Sequence, residues 1–301
     1  KIFDLSGKNT MREIDCIRQR IDLGSDTYAH GKISNEKIDD LCHTLKEFAQ
    51  IMESYKVTAY KAYGTSAIRE TENTLILQDQ IEQRTGIWVE TLSNSEQRFL
   101  DYKSIASKGE TFRRIIEEKT AILDIGGGSI QISLFDKDAL VTTQNIRMGS
   151  LRIRERLAGI QSETEHYEEM VEELIWNEVS SFKKMYLKDR KIENIMLIGD
   201  VFTDSVYQNI EEKTTKIISR ENFNTWYEKI IHQSPMELAV KLGIPLENAS
   251  LMYPSAVIYK CLIDMMGAEH IWIPGVHMTR GIAYEYAEQM KLLKGGHNFE
   301  N

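Results

Sequence analysis

Ala121-Ile122-Leu123 is an apolar run that ends on a carboxylate, Asp124. It then enters Ile125-Gly126-Gly127-Gly128-Ser129 and leaves through Ile130-Gln131-Ile132-Ser133-Leu134-Phe135. Consecutive glycines carry an entropic cost, so they mark a place where φ > 0 or a close backbone approach is required. Such a turn gathers N–H groups into one concavity that suits phosphate oxygens. Asp124, at the strand end, is placed to hold a divalent cation or an attacking water over that anion. The chemistry is that of a phosphate-clamping hairpin. A P-loop is excluded because no Gly-Lys-Ser/Thr ending follows. A dinucleotide fingerprint needs a helix directly after the glycines, whereas Gln131, Ser133 and Asp136 alternate with apolar residues at strand period. The competing reading is an ordinary glycine hairpin with a solvated Asp124.

The elements that must position this hairpin follow from periodicity. Lys1–Gly7 reads as a strand into a turn, and Glu13–Leu23 as a second strand. Ser34 caps a helix with the apolar face Ile38, Leu41, Cys42, Leu45, Phe48, Ala49 and Met52. Val57–Tyr63 reads as a strand stopping at Gly64, and Asn73 starts a helix ended by Gly86. Ile87–Leu92 reads as a strand, Ser95–Ser107 as a helix, and the charged stretch Lys108–Lys119 as a linker. A second cycle follows the hairpin: strand Val141–Met148, helix Glu165–Lys188, strand Ile195–Ile198, helices Asn222–Gln233, Met236–Leu242 and Ala249–Met266, strand His270–Ile273 and helix Ile282–Leu293. This alternation specifies an α/β fold of two lobes. The expected boundaries are 1–112 and 113–301, with the last helix packing back on the first lobe and a first strand missing ahead of Lys1.

Composition narrows the partners. The 301 residues suffice for two cores, and 37 Lys+Arg against 46 Asp+Glu give a formal charge of -9. That balance argues against a general nucleic-acid or membrane-surface binder, but a local basic pocket can still take a polyanion. Cys16, Cys42 and Cys261 show neither metal-ligand spacing nor a disulfide framework, which suits a reducing cytoplasm. No apolar run reaches the length of a membrane span.

Further along the chain, Gly64-Thr-Ser-Ala-Ile-Arg69-Glu-Thr-Glu-Asn73 resembles "A-T-S-A-x-R-x-A-x-N", and Leu92-Ser-Asn-Ser-Glu96-Gln-Arg98 resembles "I-S-G-x-E-E-A-R". Asp124–Gln131 is similar to "D-I-G-G-G-S-T-E", and Met148-Gly-Ser-Leu-Arg152 to "L-G-A-V-R". Pro254-Ser-Ala and Thr279-Arg280-Gly281 echo later segments. In this order, over nearly the whole chain, the pattern resembles the exopolyphosphatase/guanosine pentaphosphate phosphohydrolase family. The resemblance implies two actin-like (ribonuclease H-like) lobes with a phosphate-binding cleft between them. It implies a Mg²⁺-dependent hydrolase releasing terminal phosphate from polyphosphate or a guanosine penta- or tetraphosphate. By the same resemblance, Thr65, Ser66, Arg69, Gly126, Gly127, Gly128 and Ser129 bind phosphate, Glu96 orients or deprotonates water, and Asp124 holds Mg²⁺. A homodimer is the default assembly for such an enzyme.

The chain also departs from the family pattern. Asn94 stands for a glycine, and placing Glu96 at the catalytic carboxylate requires a one-residue gap; without the gap, Gln97 takes that position. Ile130-Gln131 stands for Thr-Glu, and a neutral amide is no base. Ile198-Gly199-Asp200-Val-Phe-Thr-Asp204 replaces a Gly-Gly-Thr loop, which argues against a kinase using ATP. These departures keep a second reading open: a polyphosphate- or alarmone-binding sensor or scaffold with little turnover.

Overall fold

The computed structural model describes residues 1–7, 10–107, 109–158, 167–188, 190–198 and 215–292. The loop from Gly199 to Asp204 and the start of the helix expected from Glu165 lie outside the described residues. The chain divides into two compact units, Lys1–Leu100 with Ile282 to Leu292, and Asp101–Gly281. The division falls inside a helix, N-terminal to the expected boundary at 112/113.

In unit 1, β1 (Ile2–Asp4) and β2 (Arg12–Asp15) form an antiparallel ladder. Helices α1 (Leu23–His30) and α2 (Asn35–Ser54) follow. The Ser34 side chain accepts from the Lys37 N–H at the start of α2, as its sequence requires. Next come β3 (Tyr63–Gly64), α3 (Ser66–Glu70), α4 (Thr74–Thr85) and β4 (Glu90–Thr91). Ile38 and Cys42 of α2 pack with Leu77 and Ile81 of α4, and Gly86, at φ 71°, ends α4. The strands are shorter than their sequences suggest. Of Val57–Tyr63 and Ile87–Leu92, only Tyr63–Gly64 and Glu90–Thr91 pair, in parallel. Residues 58–61 are exposed, and β propensity reports a pleated, half-buried surface that they lack.

Helices α5 (Asn94–Ala106) and α6 (Glu110–Glu117) lead into unit 2. The stretch read as a linker is therefore a helix. Arg114 and Glu117 are exposed, while Phe112, Ile115 and Ile116 are buried. Strands β5 (Thr120–Ile125), β6 (Ile130–Asp136) and β7 (Ala139–Ile146) form an antiparallel meander. After α7 (Ser150–Leu157) and α8 (Tyr167–Phe182), which runs into a π turn at Lys183–Leu187, β8 (Asn194–Ile198) pairs parallel to β5. Then come β9 (Lys216–Ser219), α9 (Arg220–Ile231), α10 (Pro235–Leu242), α11 (Leu246–Met266), β10 (His270–Ile273) and α12 (Met278–Gln289). The sheet order is β7-β6-β5-β8-β10-β9, with β10 parallel to β8 and β9 antiparallel at the edge. Three meandering strands followed by two parallel ones beside the first are the arrangement of a ribonuclease H-like lobe.

Both faces of this sheet are covered. Ala121, Leu123, Ile125, Ile130, Ile132 and Leu134 enter the larger core with α7 to α11. Ile122, Phe135, Met196 and Ile198 enter a second core with α5 and α6. Among the described residues no helix is long and apolar enough to cross a membrane. Because α6 is part of a core, Phe112→Ala is expected to destabilise unit 2 by about 3–5 kcal/mol. Urea unfolding checks this, and a change near zero would return the segment to the status of a linker.

Candidate active site

Asp124 lies half-buried near the end of β5, one residue before the glycine turn. The Gly126 N–H donates to the Ser129 carbonyl (3.0 Å), closing the turn and removing that amide from any ligand. The three glycine carbonyls are all held from one side. Gly126 O accepts from Ser150 N–H (3.2 Å), Gly127 O from Arg152 N–H (2.9 Å) and Gly128 O from the Arg152 Nε–H (2.9 Å). In a trans peptide the N–H of one residue opposes the carbonyl of the residue before it. The N–H groups of Gly127, Gly128 and Ser129 therefore face away from α7, and among the described residues they have no partner. This is the amide concavity expected from the sequence, where either φ > 0 or a close backbone approach would call for glycine. None of Gly126, Gly127 and Gly128 has φ > 0. The approach is close at Gly127, where a Cβ would lie 3.2 Å from Leu151 Cβ, whereas one on Gly126 would meet nothing nearer than 3.7 Å.

Beside the turn, a polar row crosses the sheet. Asp124 pairs with Gln131, and Gln131 with Asn145, so the three side chains share one face on adjacent strands. Gln131 is 2% exposed, and neither its Oε1 nor its Nε2 has a protein partner; the same holds for Asn145 Oδ1 and, one step along, Thr143 Oγ1. The alternation in β6 thus marks a second buried face. No group of three His, Cys, Asp or Glu side chains able to hold a metal occurs among the described residues. One carboxylate beside orphaned amide oxygens does fit Mg²⁺, which takes one or two carboxylates and completes its shell with water and phosphate oxygens.

In unit 1, Thr65 precedes α3 without a side-chain cap bond. The Ser66 hydroxyl accepts from Tyr28 (3.0 Å) and donates to Glu70 Oε1 (2.7 Å), so its side chain is engaged within the unit. Arg69 Nη1 donates to the Leu92 carbonyl (2.6 Å), and the Leu92 N–H donates to Gly64 O (2.9 Å), tying Arg69 to the strand end that leads into α5. There Glu96 Oε2 accepts from the Ser93 N–H (2.8 Å) while Ser93 Oγ accepts from the Glu96 N–H (3.2 Å), a reciprocal capping box. These bonds hold the Glu96 carboxyl below its ordinary value. Glu96 also lines a cavity of ≈ 260 Å³ with Lys61, Tyr63, Glu90, Phe99 and Tyr286. Burial, then the charges of Glu90, Glu285 and Glu96, push the Tyr63 hydroxyl up. Its field is negative, so this cavity does not suit an anion.

The predicted residues thus gather as two sets, Thr65, Ser66, Arg69 and Glu96 in unit 1, and Asp124 with Gly126, Gly127, Gly128 and Ser129 in unit 2. The family model described as the Ppx/GppA phosphatase family matches residues 3–290. The chain belongs to the Ppx/GppA phosphatase family. The bifunctional 3-dehydroquinate synthase/phosphatase of Fusobacterium nucleatum is 23% identical over 268 residues, 83% of this chain and 38% of that protein. Exopolyphosphatase 1 of Mycobacterium tuberculosis is 31% identical over 112 residues, 37% of this chain and 31% of that protein. The chain therefore spans well under half the length of these curated relatives. The crystal structure of an exopolyphosphatase from Cytophaga hutchinsonii has the same fold, with a TM-score of 0.78 and 20% identity over 91% of this chain and 89% of that one.

In this Ppx/GppA member, two residues that sequence reasoning passed over hold the loop. Arg152 supplies two of the three bonds to the glycine carbonyls. Gly149 stands at the start of α7, where a Cβ would lie 2.3 Å from Gly126 O and 2.4 Å from the Gly127 carbonyl. The only signal for them was the likeness of Met148–Arg152 to a family segment.

Gly149→Ala is expected to push the turn away from α7, lowering stability by about 1–3 kcal/mol and weakening phosphate binding together. Thermal unfolding and phosphate titration check this, and an unchanged affinity would show that α7 does not position the amides. The capping box has its own pH signature. Because folding lowers the Glu96 pKa from 4.5, its contribution is complete at neutral pH and is lost as pH falls through the lowered value. Glu96→Ala should therefore flatten the acid limb of stability against pH, read by chemical unfolding between about pH 3 and 7.

Proposed function

We propose that this chain binds the terminal phosphate of inorganic polyphosphate, or of a guanosine penta- or tetraphosphate, and hydrolyses the anhydride that carries it. The observation that carries the reading is the set of three N–H groups, on Gly127, Gly128 and Ser129, turned away from α7 by the bonds that hold the glycine carbonyls. Phosphate oxygens are the acceptors that such a cradle suits. Family membership and the exopolyphosphatase relatives support the same substrate class.

In this reading Arg69 adds a cationic fork for phosphate oxygens. Asp124 holds Mg²⁺, which when bound neutralises charge building on the phosphoryl oxygens. Glu96 keeps Oε1 for a water, since only Oε2 serves the cap. The reaction asks mainly for position and charge, which these groups provide. Free Cys16, Cys42 and Cys261 fit work in a reducing cytoplasm.

A second reading, binding with little turnover, is favoured by one observation: Glu96 is engaged in a helix cap that makes it a weaker base, while Gln131 brings no charge. Phosphate release from long-chain polyphosphate with Mg²⁺ separates the two. Hydrolysis predicts turnover of at least about 1 s⁻¹, falling at least about a hundredfold in Asp124→Ala. Release that persists in that variant would sink the assignment of Asp124. Tight binding with no release, from guanosine pentaphosphate as well, would establish the binding reading.

A further inference from the structure

Gln131 is a departure from the family pattern that the proposed reaction leaves without a task, and among the described residues of unit 2 no other buried side chain has two polar atoms without a partner. Its amide is 98% buried, given an exposure of 2%, and both its polar atoms lack protein partners. Leaving such groups unsatisfied costs the full desolvation of each. An apolar residue of the same shape would avoid that cost, so the row points to a ligand.

The two atoms of the amide differ in what they can meet. Oε1 only accepts, and Nε2 only donates. A hydrated divalent cation presents water hydrogens and no acceptor, whereas a phosphoryl oxygen presents an acceptor and no hydrogen. Asn145 Oδ1, opposite Gln131 on β7, adds another orphaned acceptor, and Asp124, opposite on β5, adds the carboxylate. A single carboxylate binds Mg²⁺ weakly, because this ion dehydrates reluctantly and keeps several waters.

From this we propose that Gln131 couples the two ligands. Its Oε1, with Asn145 Oδ1, accepts from water carried by a cation at Asp124, and its Nε2 donates to a phosphate oxygen, so neither ligand binds well without the other. A glutamate here would turn both oxygens to the cation and bind it alone. The amide instead makes cation and phosphate enter as a pair. Such coupling is reciprocal, so each ligand raises the other's affinity by the same factor.

The proposal rests on phosphate binding at the glycine turn, and calorimetric titration of the whole chain with inorganic phosphate, in Mg²⁺ or in EDTA, tests both. Wild type should bind phosphate about tenfold more tightly with Mg²⁺, and Mg²⁺ equally more tightly with phosphate. Gln131→Leu should reduce the factor to within about twofold, Asn145→Ala should reduce it in part, and Gln131→Glu should raise affinity for Mg²⁺ alone. A coupling factor unchanged in Gln131→Leu and Asn145→Ala would overturn the role of the amides while leaving the phosphate site intact. A raised melting temperature in Gln131→Leu with both affinities unchanged would overturn it too, marking a dry packing defect. No phosphate binding by wild type in either buffer would instead overturn the phosphate reading, and the coupling with it.

Discussion

Three carbonyl groups, those of Gly126, Gly127 and Gly128, are turned toward the start of α7, and the chemistry of unit 2 depends on that orientation. A peptide plane is stiff, so fixing its carbonyl fixes the next N–H as well. The restraint is only as good as α7, which is itself anchored. Met148, Ile153 and Leu157 are buried in the larger core, and Arg154 donates to Ser250 Oγ (3.1 Å) of α11. The amide concavity is therefore built from outside the loop. A loop of three glycines has little rigidity of its own, and here packing against Gly149 and Leu151 provides it.

The same sheet shows a second economy. A carboxylate at position 131 would be buried beside Asp124 whenever the cation is absent, and burial and a like charge both disfavour the charged form. It would then take up a proton or destabilise the free chain. An amide avoids that penalty but leaves a donor and acceptors to be satisfied. A ligand that satisfies them only in the native state stabilises that state by mass action. Position 124 is half-buried, and a charge there costs less than one at the fully buried position 131.

What was legible in the sequence divides by range. Helices α2 and α4 are readable because the Ser34 cap, the Gly86 stop and the 3.6-residue stripe through Ile38 and Cys42 are local features. The core strands β5, β8 and β10 are readable because burial on both faces leaves near-continuous apolar runs. By contrast, β3 and β4 shrink to two residues each, since a strand extends only as far as a neighbour pairs with it. Helix α6 is masked by its charges, because three buried residues in a short segment do not stand out from a polar background. The phosphate hairpin itself was plain, yet Gly149, which decides its conformation, lies far along the chain, and no spacing rule links it to Gly127. Glu96 shows the reverse problem. Ser-x-x-Glu before an apolar run is a capping signature whatever else it does, so its structural role was as legible as any catalytic one.

The global charge of -9 is compatible with the proposed affinity for polyanions because of where the positive potential would reside. Backbone N–H groups carry partial charge without adding to the net charge, and they cannot be neutralised by pH or swung away by rotamer change. At physiological ionic strength exposed charges are screened beyond roughly 8 Å, so the acidic surface contributes little at the turn itself. Arg152, which in an acidic protein would be an obvious choice to meet a phosphate directly, donates through its backbone N–H and Nε–H to the loop carbonyls. In the proposed reading these two bonds act on the anion through the amides they orient. Under the proposed function, selectivity for a terminal phosphate would follow from shape and dipole direction, and a protein built this way could remain acidic while taking one phosphate group at a defined place.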